Sequence, residues 1–161
     1  MRPFASAATF LTLIVPPVLG QTIIKNVTYN TFYDDMNNSS EGVACSDGPN
    51  GLINKHNWTV LGDADGFPDI GGVFAVEGFD SDNCGSCWEL TYNVLKINIL
   101  AIDTAPVGFD ISLKAMNKLT GGNAEDLGRV LVNAKQVDVM PCEQAGSKSL
   151  PPTLQPTAHH G

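Results

Sequence analysis

Two aspartates that lie close together in the sequence, Asp103 and Asp110, are the residues best suited to acid–base chemistry. Asp103 ends a nearly continuous apolar run that begins at Ile97, so we expect it at the end of a buried strand. An inverting glycoside hydrolase needs one carboxyl group as general acid and one carboxylate that activates water. Asp110, however, stands where a helix N-cap is expected, and a capping carboxylate accepts backbone N–H groups instead of donating a proton. We therefore favour capping for Asp110 and keep weak hydrolysis by this pair as an alternative.

Binding of a saccharide makes smaller demands than its hydrolysis. Sugar rings stack on aromatic side chains, and their hydroxyl groups form hydrogen bonds with carboxylates, amides and backbone groups. The residues that we expect to bind saccharide are Tyr33, Asp34, Asp47, Asn50, Asp103 and Asp110. Trp88 follows Cys87 on an apolar strand face and is predicted to lie in the core, whereas Trp58 fits either a binding platform or the core.

Nucleophilic and metal chemistry find little support in the sequence. His56 is the one histidine outside the terminal His159 and His160, and no nucleophile can be paired with it, so we expect a surface residue. Cys84 and Cys87 are the only close cysteine pair, and no histidine lies near them, which argues against zinc. We therefore predict no metal site and no cofactor.

Four cysteines follow an apolar leader, a pattern typical of two disulfide bonds in a secreted protein. They are Cys45, Cys84, Cys87 and Cys142, and they allow three pairings. A bond between Cys84 and Cys87 is disfavoured, because the strand-then-helix pattern of a redox protein does not surround it. We expect the bonds Cys45–Cys84 and Cys87–Cys142.

The leader has the pattern of a secretory signal peptide, in which Arg2 precedes a short apolar stretch. Pro16 and Pro17 break this stretch, which is too short for a membrane anchor. The region after Cys142 is rich in Pro, Gly and Ser and has almost nothing apolar to bury. We expect a signal peptide over 1–20, one domain over 21–142 and a disordered tail over 143–161.

Charge and sequons agree with an extracellular protein. Acidic residues outnumber basic ones, 17 to 9, and the net charge is -8 at pH 7. Such a surface argues against nucleic acid and anionic membranes as partners, and it is compatible with a neutral sugar polymer. N-glycan acceptors begin at Asn26 and Asn57, and overlapping ones begin at Asn37 and Asn38, of which we expect Asn38 to be used.

Alternation and turn residues predict a mainly β fold. Strands are expected within 21–35, 88–94, 97–103 and 130–139. A helix is predicted from Ile111 to Leu119, with Asp110 as its cap and Gly121 after its end, and a single helical turn fits 52–58. The Gly-Gly pair after Ile70 indicates a close backbone approach or a bulge. Many short strands with Gly-rich turns and one or two short helices suggest a closed barrel.

Several stretches, in order along the chain, together resemble the cerato-platanin family of secreted fungal proteins. They are Val27-Thr-Tyr-Asn with Tyr33-Asp34, Cys45-Ser-Asp-Gly-Pro-Asn-Gly-Leu, Phe67-Pro-Asp-Ile-Gly-Gly-Val, Cys84-Gly-Ser-Cys-Trp, Leu100-Ala-Ile-Asp-Thr-Ala, Gly108-Phe-Asp-Ile-Ser, Ala115-Met-Asn and Leu127-Gly-Arg-Val. The combination is specific, although no single stretch would be. The chain departs from the family at Asp110 and Thr104, where members commonly carry Asn and His.

The resemblance implies a six-stranded double-psi β-barrel, related to that of expansins, and the disulfide pairing given above. It also implies binding of chitin or N-acetylglucosamine oligomers in a shallow groove, and expansin-like loosening of polysaccharide without hydrolysis. Members are further known as elicitors that host immune systems recognise. On this resemblance we expect a secreted, non-catalytic carbohydrate-binding protein, associated with the cell wall, with a host immune receptor as a further partner. A secreted ligand of such a receptor, whose sugar binding is incidental, is the other alternative.

Overall fold

The structure is a computed structural model and describes residues 20–145. Nearly all of the predicted signal peptide and of the predicted disordered tail therefore lies outside the described residues. The strands are β1 (Ile23–Tyr29), β2 (Ile70–Val73), β3 (Cys87–Tyr92), β4 (Leu95–Thr104), β5 (Gly108–Ile111) and β6 (Val130–Val137). The helices are α1 (Leu52–His56), α2 (Leu113–Thr120), α3 (Ala124–Leu127) and α4 (Met140–Ala145), and 3₁₀ turns occupy Thr31–Asp34, Ser40–Gly42 and Leu61–Asp63.

The six strands close into a barrel in the order β1-β5-β2-β4-β3-β6, which confirms the predicted fold. Strands β1 and β5 pair in parallel, as do β2 and β4, and the other four pairs are antiparallel. Closure leaves no unpaired strand edge within this barrel. The helices are short, and there are more of them among residues 20–145 than the one or two that we expected.

The core lies inside the barrel, where alternate residues of each strand are buried. Strand β6 buries Val130, Val132 and Ala134 and exposes the residues between them, as the period of two requires. At one end of the core Phe74, Trp88 and Phe109 pack edge to face, with ring centroids 5.1–5.8 Å apart. The prediction that Trp88 belongs to the core is therefore confirmed.

Helix α2 starts later than predicted, and Asp110 is not its cap. Ser112 is the N-cap, and its Oγ accepts a hydrogen bond from the backbone N–H of Ala115 at 2.9 Å. Asp110 lies within β5, so the capping role that we favoured for it is wrong. The first apolar residue after Asp110 fits the start of a helix or the end of a strand equally well. Because β5 pairs with β1 and β2, this residue belongs to the strand. Gly121, with φ 66°, ends the helix as expected.

Two disulfide bonds, Cys45–Cys84 and Cys87–Cys142, fix loops to the barrel and confirm the expected pairing. They span 39 and 55 positions of the chain. Closing loops of this length in the unfolded chain stabilises the fold by about 4 kcal/mol per bond in the chain-entropy account. The first bond holds the loop before α1, and the second holds α4 against β3.

Candidate functional site

Asp103 owes its position to a bulge in β4. Gly71 pairs with Ala101, whereas the next residue, Gly72, pairs with Asp103, so that Ile102 is the extra residue. A bulge of this kind redirects the side chain that follows it. Ala101 and Ile102 are both buried, and the carboxylate of Asp103 is partly exposed at the barrel surface.

Three hydrogen bonds hold the Asp103 carboxylate. Its Oδ1 accepts from the backbone N–H groups of Ala44 and Thr104 at 2.9 and 2.8 Å, and its Oδ2 accepts from the hydroxyl of Tyr33 at 2.9 Å. Burial raises the pKa of Tyr33 above its ordinary value of 10.0, and the charges of Asp103 and, to a smaller extent, Asp110 raise it further. Tyr33 therefore remains a hydrogen-bond donor throughout the physiological pH range, and it orients one side of Asp103.

Asp110 lies on the other side of Gly72 from Asp103. Gly72 of β2 pairs with Asp103 on β4 and with Asp110 on β5, so both aspartates lie at one level of the sheet. Residues paired in this way point to the same face, and two strand spacings put their Cα atoms roughly 10 Å apart. Phe109 and Ile111, the neighbours of Asp110, are buried, so this face is the outer one. Asp110 Oδ1 accepts a hydrogen bond from the hydroxyl of Thr28 at 2.7 Å.

Gly72 separates the two aspartates with no side chain of its own. A Cβ atom built on Gly72 would lie 2.6 Å from the backbone oxygen of Thr104, closer than packed atoms allow. Gly72 is buried, and the backbone of Thr104 and the side chain of Ala105 occupy the space where its side chain would lie, so the two carboxylates stand on either side of closely packed backbone. We call Tyr33, Asp103, Gly72, Asp110 and Thr28 the two-aspartate site.

Beside Asp110 the surface dips into a cavity of about 250 Å³. Its polar lining consists of Asn26, Thr28, Asp110 and Arg129, and the segment 104–109 completes the wall. We call it the Asn26 cavity. Sequence reasoning did not identify Thr28 or Arg129, because a single partly exposed Thr in a strand and a single Arg after a turn carry no distinctive spacing.

Asp34 is partly exposed, and its carboxylate is engaged at the start of α2. The backbone N–H groups of Leu113 and Lys114 donate to its two oxygens at 2.8 and 2.9 Å, and Lys114 Nζ donates to its backbone oxygen at 2.9 Å. The carboxylate therefore supports the helix next to Tyr33. Its predicted role in saccharide binding stays a prediction.

Asp47 and Asn50 belong to a separate polar network in the loop before α1. Asp47 Oδ1 accepts from Asn54 Nδ2 at 2.6 Å, and Asn50 Nδ2 donates to Asp82 Oδ1 at 2.8 Å. The backbone N–H of Asn50 also donates to Asp80 Oδ1 at 2.7 Å. Across residues 20–145 no hydrogen bond joins this network to the two-aspartate site, so these two predicted ligands lie in a second polar cluster.

The aromatic residues divide between core and surface. Trp58 is 8% exposed and stacks on the exposed ring of His56, with centroids 4.6 Å apart, so it offers little platform for a sugar. Phe32 is 37% exposed and contacts the Tyr33 ring edge to face at 5.6 Å. Phe32, which sequence reasoning did not single out, is therefore the exposed ring next to the two-aspartate site.

Among residues 20–145, the helices are all too short and polar to cross a bilayer. Over the same residues no group of three or more His, Cys, Asp or Glu side chains is arranged to hold a metal ion.

The closed six-stranded barrel and its two disulfide bonds define the class as a small disulfide-linked β-barrel protein. The family model for cerato-platanin matches residues 25–144. The chain belongs to the cerato-platanin family.

Relatives with curated descriptions and solved structures agree with this assignment. The chain is 41% identical over 132 residues to the heat-stable 19 kDa antigen of Coccidioides immitis, covering 82% of this chain and 88% of that one. The crystal structure of cerato-platanin 1 from M. perniciosa matches with a TM-score of 0.71 and 42% identity, and the match covers 74% of this chain and 99% of that one. The solution structure of the fungal elicitor cerato-platanin matches with a TM-score of 0.67 and 36% identity, and the match covers 75% of this chain and 98% of that one.

Proposed function

We propose that this protein is secreted and binds chitin or N-acetylglucosamine oligomers at the two-aspartate site without hydrolysing them. The observation that carries the proposal is the pairing of both Asp103 and Asp110 with Gly72, which places two carboxylate acceptors at one level of the outer face of the sheet. Sugar hydroxyl and acetamido N–H groups donate to such carboxylates, and the partly exposed ring of Phe32 lies beside Tyr33 for stacking.

The hydrogen bonds of the site favour binding over catalysis. Asp103 accepts three hydrogen bonds from donors that suit an ionised carboxylate, and Asp110 accepts one from Thr28. A glycosidase needs one of its two carboxyl groups protonated at working pH. Among residues 20–145, the two carboxylates only accept hydrogen bonds, which is the role that a saccharide-binding carboxylate needs.

Titration of the full secreted chain with chitin oligomers of four to six units tests the proposal. We expect weak but saturable binding by calorimetry, and a loss of at least tenfold in affinity in Asp103→Asn. Asp65→Asn, at an exposed aspartate outside the predicted saccharide ligands, is the matched control for removing one acidic charge. Absence of both heat and NMR shifts with these oligomers would overturn the proposal.

A second candidate function, weak glycoside hydrolysis, is favoured by the same two aspartates. Inverting enzymes hold their carboxyl groups about 6.5–9.5 Å apart, a range compatible with side chains on strands roughly 10 Å apart. Incubation with chitin and cellulose oligomers decides between the two candidates. New reducing ends that vanish in both Asp103→Asn and Asp110→Asn would establish hydrolysis, and none are expected.

Loosening of wall polysaccharide and recognition by a host immune receptor complete the proposal. One solved relative is described as a fungal elicitor and one curated relative as an antigen, which supports an immune role. Two covalent cross-links also suit an extracellular, cell-wall-associated protein. If immune stimulation depends on saccharide binding, Asp103→Asn loses both. If it survives in a variant that no longer binds saccharide, the receptor reads another surface.

A further inference from the structure

Asn26, a predicted N-glycan acceptor, lines the wall of the Asn26 cavity. Val27 points into the core, so Asn26 and Thr28 point outward from β1 on the same face. The cross-strand neighbours of Asn26 are Gly108 on β5 and Leu131 on β6. A Cβ atom built on Gly108 would collide with the backbone of Asn26, so the two strands approach closely at this point, and both residues line the cavity.

The four acceptor asparagines differ in whether their amide nitrogen is free to carry a glycan in the folded protein. Nδ2 of Asn38 donates to the backbone oxygen of Phe32 at 2.7 Å, and Nδ2 of Asn37 donates to Asp35 at 3.3 Å. Within residues 20–145 the side chains of Asn26 and Asn57 take part in no hydrogen bond. A glycan added to either of these two would disturb no hydrogen bond of the fold.

An N-linked glycan begins with two β-1,4-linked N-acetylglucosamine units, the same disaccharide that repeats in chitin. We propose that the first of these units on Asn26 fills the Asn26 cavity and competes with free oligomers for Asp110 of the two-aspartate site. The inference rests on the proposed function, because it treats the protein's own glycan as a covalently attached copy of the proposed ligand.

The cavity suits one sugar unit in size and chemistry. Its volume of about 250 Å³ is somewhat below the roughly 300 Å³ at which pockets for small ligands begin. Arg129 offers N–H donors to an acetamido oxygen, and Asp110 offers an acceptor to hydroxyl or amide N–H groups. Asp110 belongs to both the cavity and the two-aspartate site, so a sugar seated on Asp110 competes with any ligand there.

Exposed apolar side chains surround the same acceptor. Ile24, Val107, Leu127 and Leu131 are among the most exposed large apolar residues of the described chain, with relative exposures from 43% to 75%. Leu127, Leu131 and Asn26 line one further shallow depression that continues from the cavity. The second sugar unit would extend over these side chains and cover them with its apolar ring face.

The test uses the full chain secreted by a glycosylating fungal host. Peptide mapping first measures occupancy at Asn26, and an unoccupied acceptor overturns the inference. Calorimetry with the chitin tetramer then compares the glycosylated wild type with Asn26→Gln and Asn57→Gln. We expect Asn26→Gln to bind at least tenfold more tightly than wild type, and Asn57→Gln to bind like wild type.

The remaining outcomes distinguish a failure of this inference from a failure of the proposed function. Equal affinities of the occupied wild type and Asn26→Gln overturn the inference and leave saccharide binding intact. If no variant binds the tetramer, the proposed function fails. Release of the glycans from the native protein by an endoglycosidase then tests separately whether the Asn26 glycan lies in the cavity. A glycan seated in the cavity is released at least tenfold more slowly from Asn26 than from Asn57, with equal rates after denaturation. Equal rates in the native protein would overturn the inference.

Discussion

The hydroxyl of Tyr33 donates a hydrogen bond to Oδ2 of Asp103 at 2.9 Å, across 70 positions of the chain. The ring of Tyr33 is buried while the carboxylate that it orients is partly exposed. This bond ties the 3₁₀ turn after β1 to the end of β4. It is thus a contact in which the core sets the position of a side chain at the candidate site.

The raised pKa of Tyr33 predicts an alkaline dependence of stability. The folded state holds the phenol proton more tightly than the unfolded state, in which the pKa is about 10. The stabilisation is therefore fully present below pH 10 and is lost as the pH rises above it. We expect the midpoint of thermal unfolding to fall more steeply between pH 9 and pH 11 in wild type than in Tyr33→Phe. Parallel curves for the two proteins would contradict this assignment.

Replacement of Gly72 by Ala tests the close approach between β2 and the chain after β4. The added methyl group would lie 2.6 Å from the backbone oxygen of Thr104, so the backbone must move. Overpacking of this kind costs about 1–3 kcal/mol, and the shift displaces Asp103 next to Thr104. Urea unfolding and chitin-oligomer titration should both show a loss.

Gly42→Ala is the control for Gly72→Ala, because its added methyl group would meet the flexible ring of Phe32 at 3.1 Å and no backbone atom. We expect Gly42→Ala to lose less stability than Gly72→Ala. An equal loss in the two variants would show that removal of glycine, and not the contact with Thr104, causes the effect.

The long strands were predictable from sequence and the short ones were not. Strand β4 has ten residues and a continuous apolar run, and β3 alternates, so the sequence pattern identified both. Strands β2 and β5 have four residues each, too few for a period to emerge, and Gly71-Gly72 predicted only a close backbone approach or a bulge. Val94, the last residue of the strand predicted within 88–94, instead lies in the turn after β3 and is 91% exposed.

The candidate site depended on the same short strands. Asp103 was identified because it ends an apolar run, a local signal. Its relation to Asp110 arises from pairing of both residues with Gly72, and pairing between strands leaves no trace in local sequence. The bulge itself agrees with the expectation at the Gly-Gly pair after Ile70, but the sequence did not show that Ile102 is the extra residue, since Ala101 and Ile102 are both apolar. The expected cap at Asp110 failed because Ser112, two residues later, is an equally good cap.

The raised pKa of Asp69 predicts that its protonation on acidification stabilises the fold, whereas protonation of most aspartates destabilises it. Burial raises its pKa above 3.8, although two hydrogen bonds from Lys118 at 2.8 and 2.9 Å lower it in part. The folded state therefore binds the proton more tightly, and the associated stability is present at low pH and lost as the pH rises through the folded pKa. We expect Asp69→Asn to be most costly, relative to wild type, near pH 3.5 and least costly at pH 7.

Asp63 is the control of opposite sign. Hydrogen bonds from the backbone N–H groups of Thr59 and Val60 lower its pKa below 3.8, so its stabilisation is present at neutral pH and is lost as the pH falls. Asp63→Asn should therefore cost more at pH 7 than near pH 3.5. Thermal unfolding of both variants across this range measures the difference, and the same pH trend in both would refute the assignment.

The start of α2 predicts that Ser112 and Asp34 stabilise the fold as one unit. Ser112 Oγ accepts from Ala115 and donates to the backbone oxygen of Pro68 at 2.6 Å, while Asp34 accepts from the next two backbone N–H groups. Loss of a cap costs about 0.5–2 kcal/mol. We expect Ser112→Ala and Asp34→Ala each to lower the free energy of unfolding by such an amount.

A double-mutant cycle between Ser112 and Asp34 measures their coupling. Both side chains fix the first turn of one eight-residue helix, so once one is removed that turn frays and the other has less to hold. The double variant should therefore lose less stability than the sum of the two single losses, as measured by urea unfolding at pH 7. Strictly additive losses would mean that the two side chains act independently. In that case the first turn of α2 would not couple Asp34 to Ser112.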